Sequence, residues 1–396
     1  MLFTVCDVTN WIEKMSDLFG KEFEGTKLVL FFTRGVSLQT WDSVGMFDRE
    51  VALYQQLQQH GVDVTFVTYG NREDLRYAER LPGIRLCCNR LGLPAGVYEK
   101  CIPWLHRNSL READIIKTNQ TNGAEIALRA ANYYNKPFIA RCGYMWSKNL
   151  SIELGEQSRL AQLSRKIEEM VFLQAQHIVV TSVEMLKDIS GRFPAAATHT
   201  TVVPNYVDTE KFSVGRINGS RKRHLCFVGR LAPEKNLETL LLAIEGLDVE
   251  LDIIGEGPLR SLLERKAVKV GGVHFHGRVP NQQLSDYFHR SSAFVFPSLY
   301  EGHPKTPIEA MACGLPVVGC DVSGVREVVT HNKTGLLCKT DPVSLRKGIK
   351  NILSDEILRK RLGREARKFV VENYSLERIL RLELEIYQNI LQDNRA

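Results

Sequence analysis

The residues best suited to chemistry lie in YEGHPKTPIEAMACGLPVV, 300–318. Glu301 follows the apolar strand pattern AFVFPS, and open α/β sheets bind ligands at the carboxyl ends of their strands. Gly302, His303, Pro304, Lys305 and Thr306 form a loop ahead of a helical pattern, where backbone N–H groups and a lysine charge suit a phosphate. Glu301 and Glu309 flank that anion site. Carboxylates repel phosphate, so both point to hydroxyl groups such as those of a ribose and a hexose. Glu309 also has a purely local reading. Thr306 as N-cap, Pro307 at the first helical position and Glu309 three residues after the cap make a capping box.

A second cluster is FVGRLAPEKN, 227–236. Gly229 ends a strand, and Arg230 and Lys235 follow in the turn. Two cations there can neutralise a diphosphate without a metal ion, although solvation is the usual fate of loop cations. Asn236 fits an N-cap. In DIIGEGP, 252–258, Gly255 and Gly257 bracket a strand-to-helix turn where a side chain would obstruct a ligand, a pattern shared with many plain turns. His274 and His276 alternate onto one strand face, but with no third ligand they do not make a metal site.

These segments need strands and helices to hold them. Apolar runs predict parallel strands at 27–33, 62–69, 84–89, 114–118, 137–142 and 177–182. Helical patterns fall between them at about 44–60, 98–110, 122–134, 153–175 and 183–192, with a further amphipathic stretch at 11–19. The polar, glycine-containing stretch near 205–222 reads as a linker. Strand–helix alternation then restarts at 224–229 and runs through 250–255, 273–278, 293–298, 316–320 and 335–339, and three helices close the chain. Two doubly wound parallel sheets in series follow, with a cleft between them.

Bulk composition fits a two-domain soluble enzyme: 396 residues, 44% hydrophobic and 25% charged. A net charge of +6 suits an anionic ligand and gives no reason to expect a nucleic-acid partner. Nine scattered cysteines without a C-x-x-C pair read as buried thiols of a reducing compartment. Asp7 interrupts the first apolar stretch, so no secretory leader is predicted and a cytoplasmic location is expected. Arg72, Arg76, Arg80, Arg85 and Arg90, interleaved with Glu73, Asp74 and Glu79, read as a solvated face.

From 224 to 340 the chain resembles the retaining GT-B glycosyltransferases known as group 1 or family 4, and the likeness extends less strongly over nearly the whole chain. It is carried by Gly229-Arg230, Glu234-Lys235-Asn236, Gly255-Glu256-Gly257-Pro258, Gly277-Arg278-Val279 and Pro297-Ser298. Most specific are Glu301 and Glu309, separated by seven residues and followed by Ala310-Met311-Ala312-Cys313-Gly314-Leu315-Pro316. The resemblance implies a GT-B fold, two Rossmann-like domains facing a central cleft: an extension 1–26, an acceptor domain 27–205, a linker 206–222, a donor domain 223–372, and a C-terminal helix 373–396 returning to the first domain.

It also implies roles. Arg230 and Lys235 would hold the donor diphosphate beside Gly229 and Gly255. Glu301 would contact the transferred sugar, and the backbone from Gly302 to Thr306 would cradle sugar and phosphate. Glu309 would bind the ribose, and the backbone near Val279 would meet the base. Gly35 would face the phosphates and acceptor. Two departures stand out. The first loop, Thr33-Arg34-Gly35-Val36-Ser37, has one glycine where many members have a pair. The segment IIKTNQTNG, 115–123, lacks the histidine that many members place near the sugar; Asn119 or Gln120 would take its place, with Lys117 adding charge. The implied reaction is retaining transfer from a UDP- or GDP-linked sugar to a saccharide or lipid-linked acceptor, in polysaccharide or glycoconjugate synthesis. The donor is a substrate, so no cofactor or metal is expected. A lipid-linked acceptor would bring the enzyme to the inner membrane face as a peripheral protein. A sugar-nucleotide 2-epimerase and a non-catalytic nucleotide-sugar-binding subunit are the competing readings.

Overall fold

The computed structural model describes residues 23–215 and 223–394; the expected helix at 11–19 and part of the linker lie outside them. The first sheet comprises β1 (Thr26–Phe31), β2 (Val62–Val67), β3 (Arg85–Cys87), β4 (Ile115–Thr118), β5 (Phe138–Cys142), β6 (His177–Val180) and β7 (Thr200–Val202). The second comprises β8 (His224–Val228), β9 (Glu250–Ile254), β10 (Val273–Gly277), β11 (Ala293–Phe296), β12 (Val317–Cys320) and β13 (Gly335–Cys338). Every pairing is parallel, and the orders are 3-2-1-4-5-6-7 and 10-9-8-11-12-13. This is the pair of doubly wound sheets that the alternation predicted. The continuous apolar runs follow from burial on both faces: residues 28–31 and 293–296 are all buried.

Each order reverses at one point, between β1 and β4 in the first sheet and between β8 and β11 in the second. A crevice opens at the carboxyl ends of strands that diverge in this way. The loop with Gly35 leaves β1, and Asn119 and Gln120 leave β4. Arg230 and Lys235 follow β8, and Glu301 follows β11. Topology thus gathers segments far apart in sequence at two facing crevices.

Several elements differ from expectation. The helix expected at 44–60 is present as Phe47–Gln59, and a short helix, Leu38–Ser43, precedes it unforeseen, separated by a turn at Gly45, φ +72°. The helix expected at 153–175 starts later, at Arg159–Gln174, and an unforeseen helix, Trp146–Leu154, ends before it at Gly155, φ +85°. Strand β7, short and threonine-rich, carries no apolar run and was not anticipated. In the arginine row, Arg76 pairs with Glu73 and Arg80 with Asp42 and Asp48, so much of its charge is neutralised locally. Among the described residues no helix is long and apolar enough to cross a membrane.

The chain crosses between domains twice, and the crossings bond to each other. Val207 N–H donates to the Tyr374 carbonyl (2.9 Å), and Leu376 N–H donates to the Val207 carbonyl (3.0 Å). The last helix, Leu376–Asp393, then buries Ile379, Leu380, Leu384, Tyr387 and Ile390 in the same apolar cluster as Leu28 and Leu30 of β1. Its polar anchor is Glu383, ion-paired with Lys117 of β4, both essentially unexposed. Lys117 also donates to the Tyr387 hydroxyl (3.2 Å). This corrects the expectation that Lys117 adds charge near the sugar; its charge is spent fastening the final helix. A buried charge stripped of its partner costs about 3–5 kcal/mol. Glu383→Ala should therefore lose about that much stability in urea unfolding, and Lys117→Met with Glu383→Leu should recover most of it.

Candidate active site

The floor of the second crevice is built from two loops tied together. Leu299 N–H donates to the Glu234 carbonyl (2.8 Å), and Asn236 Nδ2 donates to the Pro297 carbonyl (3.2 Å). Asn236 stands at the helix entrance at φ 53°, but its side chain makes no cap; it bridges the loops and accepts from Thr239. The loops bring Lys235 against Glu301 in an ion pair, both side chains mostly buried. The Lys235 ammonium lies 5.5 Å from the centre of the Phe296 ring. Arg230 is exposed, and its guanidinium has no ion-pair partner among the described residues.

Gly255 and Gly257 serve these loops through packing. A Cβ at Gly255 would lie 1.9 Å from the Gly229 carbonyl oxygen, and one at Gly257 would lie 2.3 Å from that of Leu231. The obstruction a side chain would cause is thus to the neighbouring backbone turn. Gly35 differs: it is left-handed at φ +75° with open space where a Cβ would sit.

The helix after Glu301 spans Lys305–Ala312 and corrects the capping-box reading. Pro304 stands at its N-cap, and no side chain caps it. Thr306 instead donates its hydroxyl to the Val228 carbonyl at the end of β8 (3.1 Å). Glu309 turns into the interior, 1% exposed. Its Oε1 accepts from Asn281 Nδ2 (2.9 Å) and from Arg49 Nη1 of the first domain (3.2 Å). Its Oε2 is buried with no partner. Lys305 also reaches across the domains and pairs with Glu50. Burial pulls the Lys305 ammonium down to about 8 despite that partner. Burial would raise the Glu50 carboxyl, but Lys305 and Arg49 hold it at about 2. His303 is 6% exposed, and burial, Arg141 and Lys305 lower it to about 3, so it is neutral. Its ring lies edge-on to Tyr374 and its Nδ1 has no partner.

Between the domains lies a cavity of about 490 Å³. Lys235, Glu301, Gly302 and His303 line one side, and Gly143, Lys148, Asn149, Glu184 and Asp188 of the first domain line the other. The domains approach closely here: a Cβ at Gly302 would sit 3.4 Å from the Gly143 carbonyl. Gln120 lies outside this lining but supports it, accepting from Gly143 N–H (2.8 Å). Asn119 is buried, its carbonyl accepting from Arg141 (3.1 Å). Arg141 also donates to Asn205, whose amide donates to the His303 carbonyl (2.7 Å). Val279 lies at the mouth of the domain interface, its carbonyl 3.4 Å from where a Cβ of Gly45 would be. The strand histidines are occupied by carboxylates, His276 by Asp252 (2.5 Å) and His274 by Glu250 (2.6 Å). Among the described residues no group of three or more His, Cys, Asp or Glu is placed to hold a metal.

Sequence reasoning missed Arg49, Glu50, Arg141, Asn205 and Asn281. Arg49 and Glu50 sit in an ordinary amphipathic helical pattern, and nothing local distinguishes them from a solvated face. Among the described residues of the first domain they ion-pair only with each other (3.5 Å), and closure of one domain on the other adds Glu309 and Lys305.

Two family models tile the chain: Glycosyltransferase Family 4 over residues 51–211 and Glycosyl transferases group 1 over 208–369. An uncharacterised glycosyltransferase of Methanocaldococcus jannaschii is 27% identical over 273 residues, 63% of this chain and 66% of that protein, just under two thirds of its length. Sucrose-phosphate synthase from Thermosynechococcus elongatus superposes with a TM-score of 0.77 at 20% identity, covering 93% of this chain and all of that one. HepE of Anabaena, in complex with UDP and glucose, superposes at 0.72 with 17% identity, covering 91% and 99%. At these identities the solved structures speak for the fold.

The packing of the glycine turns is testable. Gly255→Ala forces backbone atoms apart at φ +134° and should cost about 1–3 kcal/mol, as overpacked sites do. Gly35→Ala meets only the left-handed penalty, roughly 1–2 kcal/mol, with no clash. Chemical denaturation should rank Gly255→Ala as the more damaging.

Proposed function

Because the chain belongs to the group 1 and family 4 glycosyltransferases, we propose that it transfers a sugar, with retention, from a nucleoside-diphosphate donor to a saccharide or lipid-linked acceptor. The observation that carries this reading is the Lys235–Glu301 pair at the wall of the interdomain cavity. A carboxylate suited to sugar hydroxyls and a cation suited to phosphate stand side by side on the cavity wall, which supports placing the reacting bond there. When the donor enters, its diphosphate takes over Lys235 and draws in the exposed Arg230, and Glu301 turns to the sugar. UDP and glucose in the HepE complex favour a nucleoside diphosphate and a hexose as the first ligands to test.

As the glycosidic bond breaks, charge gathers on the leaving diphosphate, and fixed cations in a partly desolvated cleft stabilise it most effectively. The transition state is oxocarbenium-like, as in other glycosyl chemistry. His303 is neutral and Glu301 turns to the sugar's hydroxyls, so in this reading the leaving phosphate oxygen takes the acceptor's proton and no protein base is needed. On the first-domain side, Lys148, Asn149, Glu184 and Asp188 offer donors and acceptors for a polyhydroxylated acceptor. Polysaccharide or glycoconjugate synthesis is the setting proposed for this transfer.

UDP, GDP, ADP and CDP should be compared by thermal unfolding. One of them at 100 times its dissociation constant should add about 2.7 kcal/mol to wild type and far less to Arg230→Ala. With the matching sugar donor, Arg230→Ala should lower kcat about 10²–10³-fold, the loss typical of one oxyanion donor. Turnover should survive EDTA, because the two cations carry the charge. The product's anomeric proton coupling should match that of the donor. Stabilisation by no nucleotide, or donor epimerisation without acceptor, would overturn the proposal.

A further inference from the structure

We infer that Arg49, a first-domain residue, is a positioning residue for donor binding: it fixes the Glu309 carboxylate so that one oxygen is left for the donor's ribose. The inference rests on the reading of Glu309 as the ribose-binding carboxylate and adds to it the group that orients it.

The two oxygens of Glu309 are treated differently. Oε1 is saturated by Arg49 at 3.2 Å and Asn281 at 2.9 Å. Oε2 is equally enclosed yet has no donor among the described residues. A buried anionic oxygen without a hydrogen bond is costly, and a ligand hydroxyl is one donor that would satisfy it; Nε of Arg49, the cation that holds Oε1, is likewise buried without a hydrogen-bond partner. A ribose diol brings two hydroxyls. With Oε1 pinned from two directions the carboxylate cannot rotate to hide Oε2.

Arg49 is itself built into place. Its carbonyl accepts from the Tyr206 hydroxyl, in the segment that leads out of the first domain. Its side chain is mostly buried, and although burial opposes its charge, Glu309 and Glu50 raise its pKa. Arg49 is thus a committed cation shared between Glu50 of its own helix (3.5 Å) and Glu309 of the other domain (3.2 Å). Its geometry exists only when the domains are together, and Oε2 is covered there, so the ribose reaches Oε2 as the cleft opens and is held against it as Arg49 closes on Oε1. A donor that engages Glu309 is then selected for closure, which couples nucleotide binding to assembly of the cavity.

The test measures dissociation constants of UDP and GDP, and of their 2′,3′-dideoxy forms, on the full chain by calorimetry. Wild type should prefer the ribose form of the diphosphate it binds by about 10-fold or more, the worth of a hydrogen bond to a charged group. Glu309→Gln should lose most of that preference. Arg49→Ala should lose it too, while binding the dideoxy form as wild type does. In turnover, Arg49→Ala should raise the donor KM with a much smaller change in kcat, and Arg49→Lys should restore part of the preference. If Arg49→Ala does not fold, Arg49→Lys and Asn281→Ala carry the same comparison with smaller expected losses. If Glu309→Gln keeps the wild-type preference, the ribose reading of the site fails first. If Glu309→Gln loses it while Arg49→Ala keeps it, Arg49 is only an interdomain tie and the inference is overturned. Tighter ribonucleotide binding by Arg49→Ala would show that Arg49 competes for Glu309, which also overturns it.

Discussion

Glu309 carries a carboxylate into a place that water barely reaches, in the donor domain, and the cation that makes this tolerable belongs to the other domain. Removing a charge from water costs several kcal/mol unless a partner and further hydrogen bonds compensate, and here Arg49 and Asn281 do so on one oxygen only. Much else in the cleft is arranged around this constraint. Lys305 and Glu50 repeat the exchange of charge beside it. Glu327 accepts from the Val183 and Glu184 amides at the start of a first-domain helix, and Ser323 bonds Glu184. The interface is therefore polar and paired, the kind that opens and closes without exposing a large apolar surface.

The fold supplies the frame for this exchange. Two parallel sheets, each with one reversal of strand order, place their carboxyl-edge loops on either side of the cavity. The paired crossings at Val207 and Tyr374–Leu376 keep the domains on a short tether. The final helix, fastened by the buried Lys117–Glu383 pair, makes the first domain depend on the C-terminal segment for its core. Family membership and this architecture agree, and the chemistry proposed for the cleft needs only groups that the architecture holds there.

Much of this was legible in the sequence, and the reason differs from part to part. Parallel strands announce themselves because burial on both faces leaves an unbroken apolar run, as at KLVLFF and AFVF. Glu301, Lys235 and Arg230 stood out because each lies in the loop that follows such a run. The capping box at Thr306 and Glu309 satisfied every local rule and was nonetheless wrong. A long-range bond to Val228 claimed the threonine, and Arg49 and Asn281 claimed the glutamate. The helices Leu38–Ser43 and Trp146–Leu154 went unread because each is short and is cut off from the longer helix that follows by a glycine turn, at Gly45 and Gly155. Arg49, Glu50 and Asn281 were illegible for a simpler reason: their significance lies in partners across the domain interface or on another loop.

A structure of the chain crystallised with the nucleoside diphosphate it binds tests the central claim most directly. The account predicts the ribose diol on Glu309 Oε2, Arg49 still on Oε1, and the diphosphate between Arg230 and Lys235 with Glu301 released from its lysine. A nucleotide bound away from these residues, or an Arg49 displaced from Glu309 by the ribose, would contradict it.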